Sequence, residues 1–162
     1  MKVRENKKIK NATPKEYRGI LFKSDLERRV YECLVNIYGI TPLYESKKYV
    51  YWKGLKPKVP FYDRRKERKK STYKLHYNDS KLEDMTYTPD FTFEYYGIEV
   101  IIEVKGIENE QFPMKKKLFR AYLETLDYPV VYAEIFTVKQ LQEFMTELEK
   151  NKEAFNNKCL HR

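Results

Sequence analysis

One stretch in the second half of the chain, residues 87–106, restricts the fold more than any other. Aromatic and polar residues alternate across 91–95, which is the period-2 pattern of a half-buried strand. The next segment, 98–104, is β-branched and almost continuously apolar, as expected of a strand inside a sheet. Tyr96 and Gly97 separate the two segments, and glycine permits the positive φ that a tight hairpin requires. The stretch therefore predicts an antiparallel hairpin with a two-residue loop.

The length of this loop fixes which side chains of the hairpin face each other. With Tyr96-Gly97 as the loop, counting outward places Asp90 directly opposite Glu103. Opposed side chains share one face, with Cβ atoms about 4.5–5.5 Å apart, and Lys105 projects from the same face. Two carboxylates at that distance repel each other unless positive charge lies between them. Mg²⁺ is commonly held by one or two carboxylates with water and substrate phosphate, so this face predicts a metal site.

A plainer interpretation of the same residues is a solvated sheet face on which Lys105 bridges the two acids. Pro89-Asp90 at the start of a strand, the fitting register and the apolar run before Glu103 favour the metal site over this alternative.

Glu27 also has two interpretations. Residues 24–27, Ser-Asp-Leu-Glu, predict a capping box with Ser24 as N-cap, and Gly39 is placed to end the helix as its C-cap. In that role the Glu27 carboxylate bonds the backbone amide of Ser24. At the edge of the apolar stripe, however, it can instead point along the sheet towards Asp90 and Glu103. Both roles stay open.

The charge of the chain indicates a polyanionic partner. Lys and Arg number 33 against 24 Asp and Glu, giving a net charge of +9, which favours nucleic acid over other partners. A length of 162 residues with 41% hydrophobic residues fits one ordered domain. We find no apolar run of membrane-spanning length and no signal-peptide pattern, so we expect a cytoplasmic protein with no membrane partner.

Basic residues are concentrated in three places. Residues 1–16 predict a flexible basic N-terminal arm, and residues 55–85 a basic and aromatic insertion. Cations interleaved with tyrosines suit DNA contact, whereas a solvated loop is the alternative. A third group begins a helix predicted over 113–125, where the helix N-terminus already favours phosphate. The predicted DNA-binding residues are Arg64, Arg65, Lys66, Arg68, Lys69, Lys70, Lys115, Lys116, Lys117 and Arg120.

The remaining strands and the last helix are predicted from local sequence patterns. Strands are predicted over 17–22, 41–52 and 129–136, the last joined to the Glu103 strand by a parallel crossover through the basic helix. A capping box at Thr137 and Gln140 begins a final helix, and residues 151–162 are predicted to be a polar tail.

This order of elements resembles the PD-(D/E)XK nuclease superfamily. Three segments carry the resemblance: Phe-Lys-Ser-Asp-Leu-Glu at 22–27, Tyr-Thr-Pro-Asp-Phe at 87–91 and Ile-Glu-Val-Lys-Gly at 102–106. They look like the phage endonuclease I family of Holliday junction resolvases, and they are also similar to the end-cleaving nuclease subunit of certain transposons. The basic and aromatic segment at 55–85 is longer than a compact resolvase needs.

The resemblance implies an α/β fold with a restriction-endonuclease-like core, in which helices flank a mixed central β-sheet in the order αβββαβ. Asp90, Glu103 and the main-chain carbonyl of Val104 would bind Mg²⁺, for which Mn²⁺ could substitute, and Glu27 would complete the site. Lys105 would orient or activate the attacking water, or neutralise charge that develops on the phosphate.

The function so implied is a metal-dependent DNA endonuclease that hydrolyses phosphodiester bonds, specifically a structure-specific Holliday junction resolvase. Its partner would be branched DNA, and symmetric cleavage of a junction would require a homodimer. A phage-encoded resolvase would act in the host cytoplasm. Two alternatives stay open: a related nuclease that cuts nicks, duplex ends or transposon ends, and a catalytically inactive basic nucleic-acid-binding protein.

Overall fold

The computed structural model describes residues 14–66, 73–106 and 112–159. In chain order its elements are β1 (Lys15–Tyr17), β2 (Ile20–Phe22), α1 (Asp25–Tyr38), β3 (Leu43–Tyr44), β4 (Tyr49–Trp52), β5 (Tyr62–Lys66), β6 (Tyr73–Tyr77), β7 (Met85–Tyr87), β8 (Phe91–Tyr95), β9 (Ile98–Val104), α2 (Phe112–Leu123), β10 (Val130–Ile135) and α3 (Val138–Cys159). The described residues form two compact units. One comprises the chain up to Lys48 and from Thr88 onward, and the other is Tyr49–Tyr87.

A mixed four-stranded sheet is the centre of the first unit, with strand order β10-β9-β8-β3. β9 pairs antiparallel with β8 and parallel with β10. Since parallel neighbours need a crossover connection, α2 lies between β9 and β10 in the chain. The predicted mixed α/β class and the parallel crossover are therefore confirmed.

The β8–β9 hairpin has the predicted loop. Tyr95 pairs with Ile98, which leaves Tyr96 and Gly97 as the loop residues, and their φ angles are +50° and +80°. Two successive positive φ angles are the signature of a type I′ turn, whose twist matches that of the flanking strands.

The two faces of the sheet have different coverings. On one face, β8 and β9 contribute Phe91, Phe93, Ile98, Val100, Ile102 and Val104 to a core that also contains Val30 and Leu34 of α1 and Leu141, Met145 and Leu148 of α3. On the other face, Phe119 of α2 packs edge-on against Tyr132 of β10, with ring centroids 5.7 Å apart. Glu103 and Ile101 belong to this second face because their positions alternate with those of the core residues.

Caps set the bounds of α1 as predicted. The Ser24 side chain accepts a hydrogen bond from the Glu27 amide, and Gly39 takes the left-handed conformation at the C-terminus. The last helix is longer than predicted, because α3 continues through Cys159 where a polar tail was expected at 151–162. No glycine or proline interrupts 151–159, Phe155 packs against the core, and the Asn156 side-chain amide donates to the Tyr96 carbonyl at 2.9 Å.

The strand predicted over 41–52 is divided into β3 and β4. Glu45 lies between them with φ of +43°, a left-handed conformation that interrupts an extended strand. β3 joins the central sheet beside β8. Lys15 and Glu16, at the end of the predicted N-terminal arm, lie in β1, and residues 1–13 are outside the described range.

The second unit consists of two antiparallel pairs. β4 pairs with β7, with a register shift between Val50 and Trp52, and β5 pairs with β6. Most of the insertion predicted over 55–85 falls within this unit.

Candidate active site

The β8–β9 hairpin brings the two predicted acids together. Phe91 opposite Ile102 is the last pair of the ladder, so the next step places Asp90 opposite Glu103, as the sequence predicted. The Val104 amide donates to Asp90 Oδ2 at 2.6 Å, which fixes the carboxylate against β9. Glu103 is only 7% exposed, and Lys105 Nζ lies 2.5 Å from Glu103 Oε1.

Asp90 is electrostatically unfavourable in its ionised form. Burial is the largest effect that raises the pKa of its carboxyl group, and the charge of Glu103 is the second. Glu27 raises the pKa of Asp90 further, while the Val104 amide and Lys105 lower it without restoring the ordinary value. The protein therefore holds an acid pair for which its own cations compensate incompletely.

Glu27 is a buried capping residue that also acts on this acid pair. Its Oε1 accepts from the Ser24 hydroxyl at 2.7 Å, and its Oε2 accepts from the Lys23 amide at 3.1 Å. The amide that bonds the carboxylate is thus that of Lys23, one residue before the predicted partner. Because Glu27 contributes to the electrostatics of Asp90, the capping geometry and a role at the acid pair are compatible.

Tyr44 holds Glu27 in place, although no sequence pattern predicts this role. Its hydroxyl donates to Glu27 Oε2 at 2.7 Å and accepts from the Lys23 amide at 3.1 Å. Burial, followed by this bond to Glu27, raises the pKa of the Tyr44 hydroxyl. The next residue, Glu45, donates its amide to the Asp90 carbonyl at 2.9 Å and forms an ion pair with Lys23. These contacts depend on the pairing of β3 with β8, for which a two-residue strand gives almost no sequence signal.

A further acid, Glu134, lies beside Glu103. Parallel pairing places Glu134 in register with Glu103, and neighbours in register project from the same face. Lys116 Nζ lies 2.8 Å from Glu134 Oε2. A lone acid within the otherwise apolar strand at 130–135 was a signal that could have identified this residue.

The predicted basic residues are distributed over both units. Lys115, Lys117 and Arg120 are exposed on α2, whereas Lys116 is partly buried against Glu134. Arg64, Arg65 and Lys66 lie on β5. Arg68, Lys69 and Lys70 are outside the described residues.

The acid pair fits a small oxygen-ligand set for a divalent cation. In the described ranges, no three His, Cys, Asp or Glu side chains are arranged to share one ion. Asp90 and Glu103, together with the main-chain carbonyl of Val104, would form a smaller set, which would leave ligand positions of the ion for water and a phosphate. Mg²⁺ is usually bound in this way, by one or two carboxylates and retained water.

In residues 14–66, 73–106 and 112–159, no helix has the length and apolar character needed to cross a membrane.

Comparison with known proteins supports membership of a family but supplies no activity. Neither the curated proteins nor the solved structures contain a match to the chain. Residues 6–143 match the family described as protein of unknown function, DUF1064. The match covers most of the sequence, and the chain therefore belongs to the DUF1064 family.

Proposed function

We propose that this protein is a metal-dependent DNA endonuclease with a restriction-endonuclease-like core of the PD-(D/E)XK type. The observation that supports this most strongly is the in-register pair of partly buried Asp90 and buried Glu103, with Lys105 bonded to Glu103. A protein that needed only stability would gain by removing one of these acids. Strongly perturbed titratable groups that lie beside a specific charge partner are enriched at functional sites.

Asp90, Glu103 and the Val104 carbonyl would hold Mg²⁺, or Mn²⁺ in its place. When bound, the metal would polarise the scissile phosphate and lower the pKa of a coordinated water. Lys105, bonded to Glu103 at 2.5 Å, would orient the attacking water or neutralise charge developing on the phosphate. Glu27, fixed by Tyr44 and the Lys23 amide, would support the site directly or through water.

The substrate would be branched DNA, cleaved as by a Holliday junction resolvase in the cytoplasm, which for a phage-encoded protein is that of the host. Exposed Lys115, Lys117 and Arg120 on α2 would contact backbone phosphates. Paired incisions in a four-way junction require two active sites, so the resolvase role includes a homodimer.

Cleavage of an end-labelled four-way junction beside a linear duplex of the same sequence tests the proposal. Each substrate is incubated with Mg²⁺ or EDTA and with wild type, Glu103→Gln or Glu94→Gln. Glu94 is the matched control, since it is a carboxylate of the same hairpin that is exposed.

We expect metal-dependent, paired incisions in the junction with wild type and Glu94→Gln, and loss of cleavage with Glu103→Gln. Equal cutting of both substrates would retain the nuclease but refute junction specificity. Tight binding of both substrates without cleavage of either would contradict the resolvase and favour a nucleic-acid-binding protein.

A further inference from the structure

The β5–β6 hairpin of the second unit presents an exposed aromatic face. Its register pairs Tyr62 with Tyr77, Arg64 with Leu75 and Lys66 with Tyr73, so these positions lie on one face. The exposed fractions are 57% for Tyr62, 50% for Tyr73 and 51% for Tyr77. We call Tyr62, Arg64, Tyr73, Leu75 and Tyr77 the aromatic face.

Protection of strand edges does not account for this composition. Proteins often place lysine and other charges on exposed strands to prevent pairing with other chains, which would explain the cations of the hairpin. It does not explain three half-exposed tyrosines on one face. A two-stranded hairpin ordinarily needs an apolar face packed against other residues to be stable, whereas this face is exposed. Exposed apolar clusters of this kind mark interaction surfaces.

The charge of the hairpin identifies the chemistry of the partner. β5 and β6 carry four cations, Arg64, Arg65, Lys66 and Lys74, and one acid, Asp63, and Arg65 lies 3.4 Å from that acid. The partner is therefore expected to be anionic. Because the cations are interleaved with tyrosines, it should also offer flat surfaces on which rings can stack.

The side chains of the aromatic face are already arranged for stacking. The Arg64 guanidinium lies 3.8 Å from the centre of the Tyr73 ring. Tyr62 and Tyr77 pack edge-on, with ring centroids 5.5 Å apart. Bases that are free of a duplex stack on aromatic rings and on guanidinium planes, and each such contact contributes about 1–3 kcal/mol.

We propose that the aromatic face binds unpaired bases of DNA, with the surrounding cations on the phosphates. The bases of a continuous duplex stack on each other and present only their edges in the grooves, so tyrosine rings would find no free base plane there. This proposal rests on the proposed function for the identity of the polymer. It adds that DNA with unpaired bases, as at a branch or a single-stranded segment, is preferred to continuous duplex.

Binding measured by fluorescence anisotropy in EDTA tests this inference without requiring cleavage. The probes are labelled oligothymidine, an abasic oligomer of the same length and a duplex of that length. The proteins are wild type, Tyr62→Ala/Tyr77→Ala and Tyr62→Phe/Tyr77→Phe. The phenylalanine variant keeps the rings and is the matched control.

We expect the alanine variant to bind oligothymidine about tenfold or more weakly, the loss of one or two stacking contacts, with duplex affinity unchanged. The phenylalanine variant should bind as wild type does. Wild type should also bind the abasic oligomer about tenfold or more weakly than oligothymidine, a comparison that does not depend on how well a variant folds.

Equal weakening towards duplex and oligothymidine, or no preference of wild type for oligothymidine over the abasic oligomer, would overturn the inference. Failure of the proposed nuclease function can be told apart from failure of this inference. In that case the binding pattern would remain, while junction cleavage with Mg²⁺ would be absent.

Discussion

At the scale of single residues, Asp90 shows the conflict between stability and the proposed chemistry most clearly. Its carboxyl is partly buried beside Glu103, and the loss of solvation and the charge of Glu103 both raise its pKa. A group whose folded-state pKa is raised binds its proton more tightly in the folded protein than in the unfolded chain. Such an acid contributes most to folding stability at low pH. The contribution declines as the pH rises above about 4, which is the ordinary pKa of an aspartic acid side chain.

We therefore predict that Asp90→Asn stabilises the metal-free protein at pH 8 by about 0.5–3 kcal/mol, the usual size of a single-substitution effect. Asparagine removes the repulsion with Glu103 and can still accept the hydrogen bond from the Val104 amide. Chemical denaturation in EDTA measures the difference, which should shrink as the pH is lowered towards 4.

Glu94→Gln is the control for this prediction, because Glu94 is exposed on the same hairpin and its substitution should change stability by less than about 0.5 kcal/mol. A destabilised Asp90→Asn protein at pH 8 would show that Asp90 is adequately compensated and would remove the main support for a metal at this position.

At the scale of elements, the hairpin was predictable because its signals are local. Alternation, a β-branched run and a two-residue loop lie within consecutive residues, and together they fix the register of Asp90 against Glu103. The alignment of Glu134 with Glu103 could not be predicted in the same way. It depends on the register of β10 against β9, which is set by the crossover connection through α2. Tyr44 was missed for a similar reason: Glu45 interrupts the predicted strand, and only tertiary pairing brings β3 to β8.

Because the register depends on the loop, Gly97→Ala should destabilise the protein. Gly97 has φ of +80°, and a side chain there is strained by about 1 kcal/mol or more. An added Cβ would meet only Asn156 Oδ1 at 3.8 Å, an ordinary contact, so the cost arises in the backbone. Gly106→Ala is the matched control, since its Cβ would lie in open space without a positive φ. Thermal denaturation in EDTA should separate the two variants, and equal stability would contradict the type I′ assignment.

The basic residues of α2 should divide into two functional classes. Lys116 lies 2.8 Å from Glu134, so Lys116→Ala should destabilise the fold by about 1–3 kcal/mol, because it removes a bonded partner from a largely buried acid.

Lys115 and Lys117 are exposed, and alanine at both should leave stability nearly unchanged. That double variant should instead weaken DNA binding and reduce the salt slope of log K by about 2, one unit for each lost phosphate contact. Denaturation and salt titration measure the two effects, and the reverse assignment would refute α2 as a phosphate-binding element.

At the scale of the whole molecule, a net charge of +9 favours association with any nucleic acid, whereas the acid pair opposes close approach of a phosphate. Glu103→Gln removes one of these acids and releases Lys105 from its 2.5 Å contact. We predict that this variant loses cleavage yet binds DNA about two- to fivefold more tightly in EDTA, the scale of one partly screened charge interaction.

Glu94→Gln raises the net charge by the same amount at an exposed position of the same hairpin, and it should leave affinity almost unchanged. Anisotropy titration of both variants at one salt concentration separates a local effect from a general one. Equal tightening in the two variants would attribute the gain to overall charge. Weaker binding by Glu103→Gln would mean that DNA phosphate does not approach this pair, and both the metal site and the nuclease would then have to be abandoned.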